Sequence, residues 1–258
     1  MKFGTIASGS SGNCLYAGNG ETHILIDAGV SCKRIIEGLK SFELTGNDIQ
    51  GILVTHEHTD HISGLGVLSR KFHIPIYGTE KTIKRILDME NLGKLDRELF
   101  QIIEAGKTFD IGNMSIESFS ISHDAADPVS YVMHENDKKI GMVTDLGFYD
   151  DRIVGHLKSS NLLYVEANHD IHMLQAGPYP YYLKRRILGD QGHLCNEKAA
   201  ELVVELTHDR LKNVILGHLS KENNYPDLAL ATVQNEVDKT ICVEVAPRDC
   251  AGKLYNID

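Results

Sequence analysis

Metal-binding side chains are concentrated in residues 56–61, His-Glu-His-Thr-Asp-His. The apolar residues 51–55 precede them and have the composition of a short buried strand. Because alternate residues of a strand point to one side, side chains just beyond its end can project together. Imidazole and carboxylate groups are suitable ligands for zinc, manganese or iron. Four such ligands crowd one ion but can be divided between two, and they are His56, His58, Asp60 and His61.

Three later candidate ligands also stand just after apolar segments, where strand ends would bring them to one site. Taken singly, each could instead be a hydrogen-bonded structural residue. Taken together with residues 56–61, they predict the remainder of a metal site. They are His123, after residues 115–121, Asp145, after residues 141–144, and His218, after residues 214–217.

The length and composition predict one globular domain over residues 1–258. The 258 residues, 42% of them hydrophobic, can form a sizeable core, and neither a repeat nor a Pro/Ser-rich linker interrupts them. Apolar runs stay well short of the roughly 20 residues that span a bilayer, and the N-terminus resembles a strand more than a signal peptide. We therefore expect a cytoplasmic protein without a membrane partner.

Charge and cysteine content narrow the function classes. The formal net charge of −10 argues against a protein that coats nucleic acid by charge alone, but not against an enzyme that acts on it. The five cysteines are odd in number and lack a Cys-x-x-Cys spacing, so we expect free thiols in a reducing compartment.

Hydrophobic patterning predicts strands and helices in alternation, with a β-rich middle. Such an order fits two β-rich sheets with helices outside them. Asn196 is the predicted cap of its helix. The predicted strands are residues 3–6, 14–17, 23–27, 51–55, 115–121, 129–134, 139–143, 162–165, 213–216, 241–245 and 254–257. The predicted helices are residues 32–42, 61–72, 80–90, 196–207 and 227–237.

The Thr-His-x-His-x-Asp-His run at residues 55–61, with a later His, Asp and His at strand ends, resembles the metallo-β-lactamase superfamily. The resemblance covers essentially the whole chain and implies an α/β fold, a four-layer αββα sandwich with a dinuclear site at one edge. It implies two divalent ions per chain, Zn²⁺ or Mn²⁺, with iron as a further alternative. By this resemblance His56, His58 and His123 hold one ion, Asp60, His61 and His218 hold the other, and Asp145 bridges them.

The chemistry that this site implies is hydrolysis by a metal-bridging hydroxide. Two ions about 3.5–4 Å apart can hold a hydroxide at neutral pH and stabilise charge in the transition state. Asp60 could both bind a metal and orient that nucleophile. A bridging Asp145 rather than a cysteine argues against the antibiotic-hydrolysing zinc enzymes of the family, whereas glyoxalase II-like thioesterases keep the Asp.

Residues 164–224 resemble tRNase Z-type phosphodiesterases. Glu166 follows a predicted strand, His193 follows a glycine before the penultimate helix, and His218 stands in a His-x-Ser context. This resemblance implies that His193 protonates the leaving 3′-oxygen. It also implies that Glu166 orients the His193 ring or favours its charged form. The alternatives are an ordinary loop histidine and a surface carboxylate. His169 could also approach the site, although the aspartate after it could simply cap a helix.

Two further segments are candidates for substrate contact. Residues 179–186, Tyr-Pro-Tyr-Tyr-Leu-Lys-Arg-Arg, could stack aromatic rings on bases and contact phosphates through cations. An amphipathic helix with a solvated basic face is the alternative. Residues 7–13 form a small-residue loop that could approach a phosphate, or a plain turn. The predicted contacts are Ser10, Ser11, Asn13, Tyr182, Lys184, Arg185 and Arg186.

The 7–13 loop, together with the runs His-Thr-Asp-His-Ile-Ser-Gly-Leu and His-Leu-Ser-Lys-Glu-Asn-Asn, resembles the YycJ (WalJ) branch of the superfamily. This resemblance implies a metal-dependent phosphodiesterase, a 5′→3′ exonuclease that acts on DNA in preference to RNA. A thioester or lactone hydrolase, an RNA-processing nuclease and a non-catalytic binding protein are the alternatives. The sequence does not determine the native metal, the polarity of cleavage or the oligomeric state. A homodimer is one of the oligomeric states that it allows.

Overall fold

Two seven-stranded sheets form the centre of the computed structural model, which describes residues 1–257. The first sheet contains, in spatial order, β14 (Leu254–Asn256), β1 (Lys2–Ala7), β2 (Cys14–Gly18), β3 (His23–Ile26), β4 (Gly51–Leu53), β5 (Ile76–Thr79) and β6 (Phe100–Ile103). The second contains β13 (Cys242–Val245), β12 (Asn213–Gly217), β11 (Leu162–Glu166), β10 (Lys138–Val143), β9 (Val129–Glu135), β8 (Met114–Ser120) and β7 (Thr108–Ile111).

Helices connect many of these strands. The α-helices are α1 (Cys32–Ser41), α2 (Thr59–Ile62), α3 (Leu65–Phe72), α4 (Glu80–Leu87), α5 (Asp151–Leu157), α6 (Ile171–Ala176), α7 (Tyr181–Ile187), α8 (Asn196–Glu205) and α9 (Pro226–Gln234). Two short 3₁₀ turns are Glu90–Leu92 and Arg97–Leu99. Across residues 1–257, the helices fall short of the length and apolar character needed to cross a membrane.

Three apolar layers hold sheets and helices together. The layer between the sheets includes Phe3 and Tyr164, whose ring centroids are 6.0 Å apart. Leu39 of α1 and Leu68 of α3 pack on the outer face of the first sheet. Leu202 of α8 packs on the outer face of the second sheet. Removal of this apolar surface from water is the main force that stabilises the assembly. The predicted four-layer αββα sandwich is confirmed.

Parallel strands bring the predicted ligands to one edge of the fold. β10, β11 and β12 run parallel, so Asp145, Glu166 and His218 lie together at or just after their carboxyl ends. β3 and β4 are also parallel, and they lead into Asp27 and His56. The backbone φ angles of Asp27, Asp145 and His218 are 60°, 56° and 54°. Such left-handed conformations are strained for residues other than glycine, and they are concentrated at functional sites.

The prediction of one helix over residues 61–72 is wrong, because α2 and α3 are separate helices interrupted at Ser63 and Gly64. The N–H of Gly64 donates to the carbonyl oxygen of Ala28, 2.8 Å away. A Cβ at Gly64 would collide with the carbonyl oxygen of Val30. The glycine therefore permits a close approach between the ligand segment and the loop after β3. Apolar periodicity could not reveal this break, since both helices share it.

The prediction of Asn196 as a helix cap is also wrong. Cys195 occupies the N-cap position of α8, and Asn196 is the first helical residue. The Asn196 side chain is buried and exchanges hydrogen bonds of 2.8 and 3.1 Å with the amide of Asn224. These two bonds occupy the Asn196 side chain, which a helix cap would instead bond to the first N–H groups of the helix. Sequence patterning also missed elements of only four to seven residues, namely β5, β6, β7 and α5.

Candidate active site

The structure brings the seven predicted metal ligands into one cluster. Asp145 lies at its centre, with Oδ2 3.2 Å from His61 Nε2 and Oδ1 3.7 Å from His123 Nε2. Its two oxygens therefore contact both halves of the cluster. The ligand atoms within each half lie within 4.8 Å of one another, and the halves are His56, His58 and His123, and Asp60, His61 and His218.

Hydrogen bonds on the far side of the rings orient three of these histidines. In each case Nδ1 donates a hydrogen bond away from the cluster and leaves Nε2 directed into it. Such outer contacts set the tautomer and the ring orientation of metal-binding histidines. The bonds run from His61 to Asp27 at 2.7 Å, from His218 to Glu166 at 2.8 Å, and from His123 to the Gly192 carbonyl oxygen at 3.2 Å.

His56 has the character of a metal ligand. Its side chain is fully buried, and its Nδ1 lies 3.0 Å from the Thr55 hydroxyl. Its Nε2 has no hydrogen-bond partner among residues 1–257. Burial and the neighbouring imidazoles lower the pKa of His56 well below its ordinary value, so the ring is neutral. A buried, unpartnered lone pair is costly, and coordination of a cation satisfies it.

Buried carboxylates give the cluster a negative electrostatic environment that favours cations. Burial favours the neutral form of His218, but the charge of Asp145 and hydrogen bonds with carboxylates raise its pKa to about 10. Burial likewise opposes the charged form of His61, yet the charges of Asp145 and Asp27 raise its pKa well above the ordinary value. The carboxylates thus hold protons on two buried rings. Divalent ions would replace those protons, which fits a metal site.

Glu166 and His193 form a pair beside the cluster. Glu166 is fully buried, so the alternative of a surface carboxylate is wrong. Its Oε1 accepts from His193 Nδ1 at 2.7 Å and from His218 Nδ1 at 2.8 Å, and its Oε2 accepts from the N–H groups of Leu146 and Leu194. Burial would raise the pKa of Glu166, but the two histidines lower it, so the group stays a carboxylate. His193 is thereby fixed in orientation.

Only some of the predicted substrate contacts reach the cluster. A cavity of 220 Å³ opens over the predicted metal ligands, and both Ser10 and Arg186 line it. Asn13 instead lies beneath it, buried, with its amide nitrogen 3.3 Å from His61 Nε2 and its oxygen accepting from Gly9 N–H. Asn13 therefore holds the small-residue loop against the ligand segment. Ser11 is exposed and lies outside the lining.

Three predicted contacts on α7 lie outside that cavity. Tyr182 is 75% exposed. The Lys184 ammonium donates to the carbonyl oxygens of Gln175 and Gly177, both at 2.7 Å, and so fastens α7 to the end of α6. The Arg185 guanidinium lies 6.0 Å from the ring centroid of Tyr181. The alternative of a helix with a solvated face describes these three residues, whereas Arg186 alone among the four turns towards the ligands.

Sequence reasoning missed several residues at the site. Tyr179, Asn168 and Ser220 line the cavity over the ligands. Asp27 accepts from Thr55 N–H, the Thr55 hydroxyl and His61. A signal for Asp27 existed, because it follows an apolar strand in the same way as the later ligands do.

Replacement of Asp27 by alanine should weaken metal binding by about 10–100-fold, because His61 would lose the bond that orients its ring. Competitive titration with a chromogenic chelator measures this affinity. Asp27→Asn, which retains a partner for Thr55 but not the charge, should have a smaller effect. Unchanged metal affinity in Asp27→Ala would show that His61 needs no support from this carboxylate.

Comparison with known proteins agrees with this geometry. The family model described as a beta-lactamase superfamily domain matches residues 22–218. The chain is 44% identical over 240 residues to exodeoxyribonuclease YycJ of Bacillus anthracis, covering 93% of this chain and 90% of that protein. It is 43% identical over 237 residues to exodeoxyribonuclease WalJ of Streptococcus pneumoniae serotype 2, covering 92% of this chain and 88% of that one.

A solved structure supports the same fold. The short form of human tRNase Z superposes with a TM-score of 0.69 at 17% identity, and the match covers 100% of both chains. This similarity concerns the fold, whereas the family match and the two bacterial relatives concern the sequence itself. The sandwich, the metal-binding cluster and these relatives lead to one conclusion: the chain belongs to the metallo-β-lactamase superfamily and is a metal-dependent hydrolase.

Proposed function

We propose that the chain is a dinuclear metal-dependent phosphodiesterase, a 5′→3′ exonuclease acting on DNA, whose two sheets work as one domain. The observation that carries the proposal is the His193–Glu166 pair, 2.7 Å apart, beside the two groups of metal ligands. Such a pair can deliver a proton to a leaving oxygen. Similarity to two proteins named exodeoxyribonucleases supports DNA as the substrate.

The residues divide the work of phosphodiester hydrolysis. When bound, Zn²⁺ or Mn²⁺ activates water and neutralises charge on the phosphate oxygens. Asp60, whose side chain is partly exposed at the cavity, orients the attacking water. A bond forms between the water oxygen and phosphorus, the proton of that water passes to solvent, and the bond from phosphorus to O3′ breaks. His193 gives its Nε2 proton to O3′, while Glu166 stabilises the charged ring through Nδ1.

An open groove beside the ligands provides a path for the DNA backbone. The groove has a volume of 730 Å³ and is lined by His58 and Asp60 together with Arg85 and Arg186. The Arg186 guanidinium also bonds Asp124 at 2.9 Å, which holds it at the mouth of the site. Arg85 and Arg186 supply cations to a lining that also contains the carboxylates of Glu57, Asp60 and Asp124. Bound divalent ions would supply the remaining positive charge where a phosphate passes.

Arg186→Ala should weaken DNA binding at low salt and reduce the slope of log affinity against log salt by about one, because one phosphate contact is lost. Fluorescence anisotropy of labelled DNA over a range of salt concentrations measures both effects. Arg210→Ala is the matched control, since Arg210 is exposed before β12 and far from the carboxyl end of that strand. Equal salt slopes for Arg186→Ala and the unaltered protein would remove Arg186 from the binding surface.

The proposed function is tested by offering the metal-loaded protein four substrates. These are end-labelled single-stranded DNA, duplex DNA, RNA and a small thioester, each with Mn²⁺ or Zn²⁺. We expect mononucleotides to be released stepwise from 5′ ends of DNA, with slower release from RNA. Turnover of the thioester alone would replace the proposal by a glyoxalase II-like activity.

A further inference from the structure

A second cavity adjoins the metal cluster on the far side of His193. Its volume is 480 Å³, within the roughly 300–1,000 Å³ of small-molecule sites. Phe148, Tyr149, Ile171 and Leu188 give it a largely apolar lining. His193 lines both this cavity and the one over the metal ligands. His193, the proposed proton donor, therefore lies between the cavity over the metal ligands and this second, less polar cavity.

His169 supplies a polar group to this apolar cavity. It is 1% exposed, and neither ring nitrogen has a hydrogen-bond partner among residues 1–257. Its carbonyl oxygen accepts from Asn196 N–H at 2.9 Å, which fixes the residue in place. Burial lowers the pKa of His169 to about 4, so the ring is neutral and offers one donor and one acceptor. A buried, unpartnered imidazole is costly unless a ligand completes its hydrogen bonds.

Phe148 provides an aromatic surface at the same cavity. It is 54% exposed, and it lines the cavity together with Tyr149 and Leu188. The preceding residue, Gly147, donates its N–H to the Ser122 carbonyl oxygen at 2.9 Å. A Cβ at Gly147 would collide with the carbonyl oxygen of Asp190, so this loop packs tightly against residues 190–192. The ring is thus presented from a fixed loop.

We propose that this cavity binds the base of the leaving nucleotide, with Phe148 stacking on the base and His169 bonding its edge. The proposal rests on the proposed exonuclease function. His193 protonates O3′ of the nucleotide that departs, and His193 also lines this cavity, so the cavity lies next to that nucleotide. For cleavage from a 5′ end, the occupant is the terminal nucleotide. A base has the flat apolar face and the mixed donor and acceptor edge that this lining matches.

The test compares two duplex substrates that differ only at the 5′ terminus, one with a normal base and one with an abasic residue. The metal-loaded protein should cleave the normal end about ten-fold faster or more, since stacking on an aromatic residue contributes this much. Phe148→Ala should lose most of that preference. Tyr225→Ala is the matched control, because Tyr225 is 56% exposed and lies outside this cavity.

A binding measurement gives a second readout. The chain contains no tryptophan, so the fluorescence of 2-aminopurine deoxynucleoside 5′-monophosphate can be observed without interference from that residue. Binding to the metal-loaded protein should quench the probe, and both Phe148→Ala and His169→Leu should weaken its affinity by about ten-fold. Because Phe148 is exposed, its replacement leaves the core intact even if His169→Leu fails to fold.

The outcomes distinguish failure of the proposed base pocket from failure of the proposed exonuclease function. Equal cleavage of normal and abasic ends, or quenching that is unaffected by Phe148→Ala, would overturn the base pocket while the exonuclease stands. Absence of any DNA cleavage by the unaltered protein would overturn the exonuclease itself. A preference for the normal end that disappears in Phe148→Ala and persists in Tyr225→Ala supports the pocket.

Discussion

Replacement of His58 by alanine is expected to lower the rate of DNA hydrolysis by about 10³-fold. His58 Nδ1 lies 3.3 Å from His123 Nε2, and both belong to one half of the ligand cluster. Loss of a ligand from this half should cost most of the charge stabilisation that one ion gives the transition state. That stabilisation is several kcal/mol, and about 4 kcal/mol corresponds to about 10³-fold in rate.

The measurement for His58 combines steady-state hydrolysis with metal analysis of the purified protein. The variant should retain less metal than the unaltered protein, and its thermal unfolding should remain cooperative because His58 is only partly buried. His172→Ala is the matched control, as His172 is an exposed histidine of α6. Full activity in His58→Ala would mean that the two-ion site is not the one that hydrolyses DNA.

Replacement of His193 by alanine should lower the turnover number by about 10²–10⁴-fold while leaving the metal content unchanged. His193 bonds Glu166 through Nδ1 and lines both cavities, so its Nε2 is free to protonate the leaving oxygen. Loss of that proton donor slows the chemical step without removing a predicted metal ligand. The rate loss should appear in the turnover number rather than in the binding of DNA, because protonation of O3′ takes place only in the transition state.

A substrate with sulfur in place of the bridging 3′-oxygen distinguishes this role from a structural one. A thiolate leaves without being protonated, so the His193→Ala variant should cleave this substrate nearly as fast as the unaltered protein. Asp145, Glu166, His193 and His218 also lie close enough to hold a metal ion. Loss of metal together with loss of activity on both substrates would make His193 a ligand and contradict its assignment as a proton donor.

Residues 56–61 gave the strongest signal of metal binding in the sequence, although the strand before them, Gly51–Leu53, has only three residues. Strand patterning located further candidates. Asp145, Glu166 and His218 lie at or just after the carboxyl ends of parallel strands of the second sheet, and strand patterning locates such positions well. The Thr-His-x-His-x-Asp-His run carried the resemblance to the family. The αββα fold followed from that resemblance, since alternating elements alone allow several arrangements of two sheets.

Features that depend on tertiary packing could not be predicted from the sequence. Residues 179–186 are basic and aromatic throughout, but only the fold decides that Arg186 faces the ligands while Tyr182 faces solvent. A seven-residue helix offers too few turns for periodicity to assign its faces. The split between α2 and α3 depends on a contact between Gly64 and the loop after β3, which is remote in sequence.

The central claim, hydrolysis of DNA by cleavage of the bond between phosphorus and O3′, is tested most directly by mass spectrometry of the products formed in oxygen-18-labelled water. The metal-loaded protein should release mononucleotides with a 3′-hydroxyl from the 5′ ends of duplex DNA. The label should appear in the 5′-phosphate of the strand that remains. Products that end in a 3′-phosphate, or DNA that stays intact while a thioester is hydrolysed, would contradict the account.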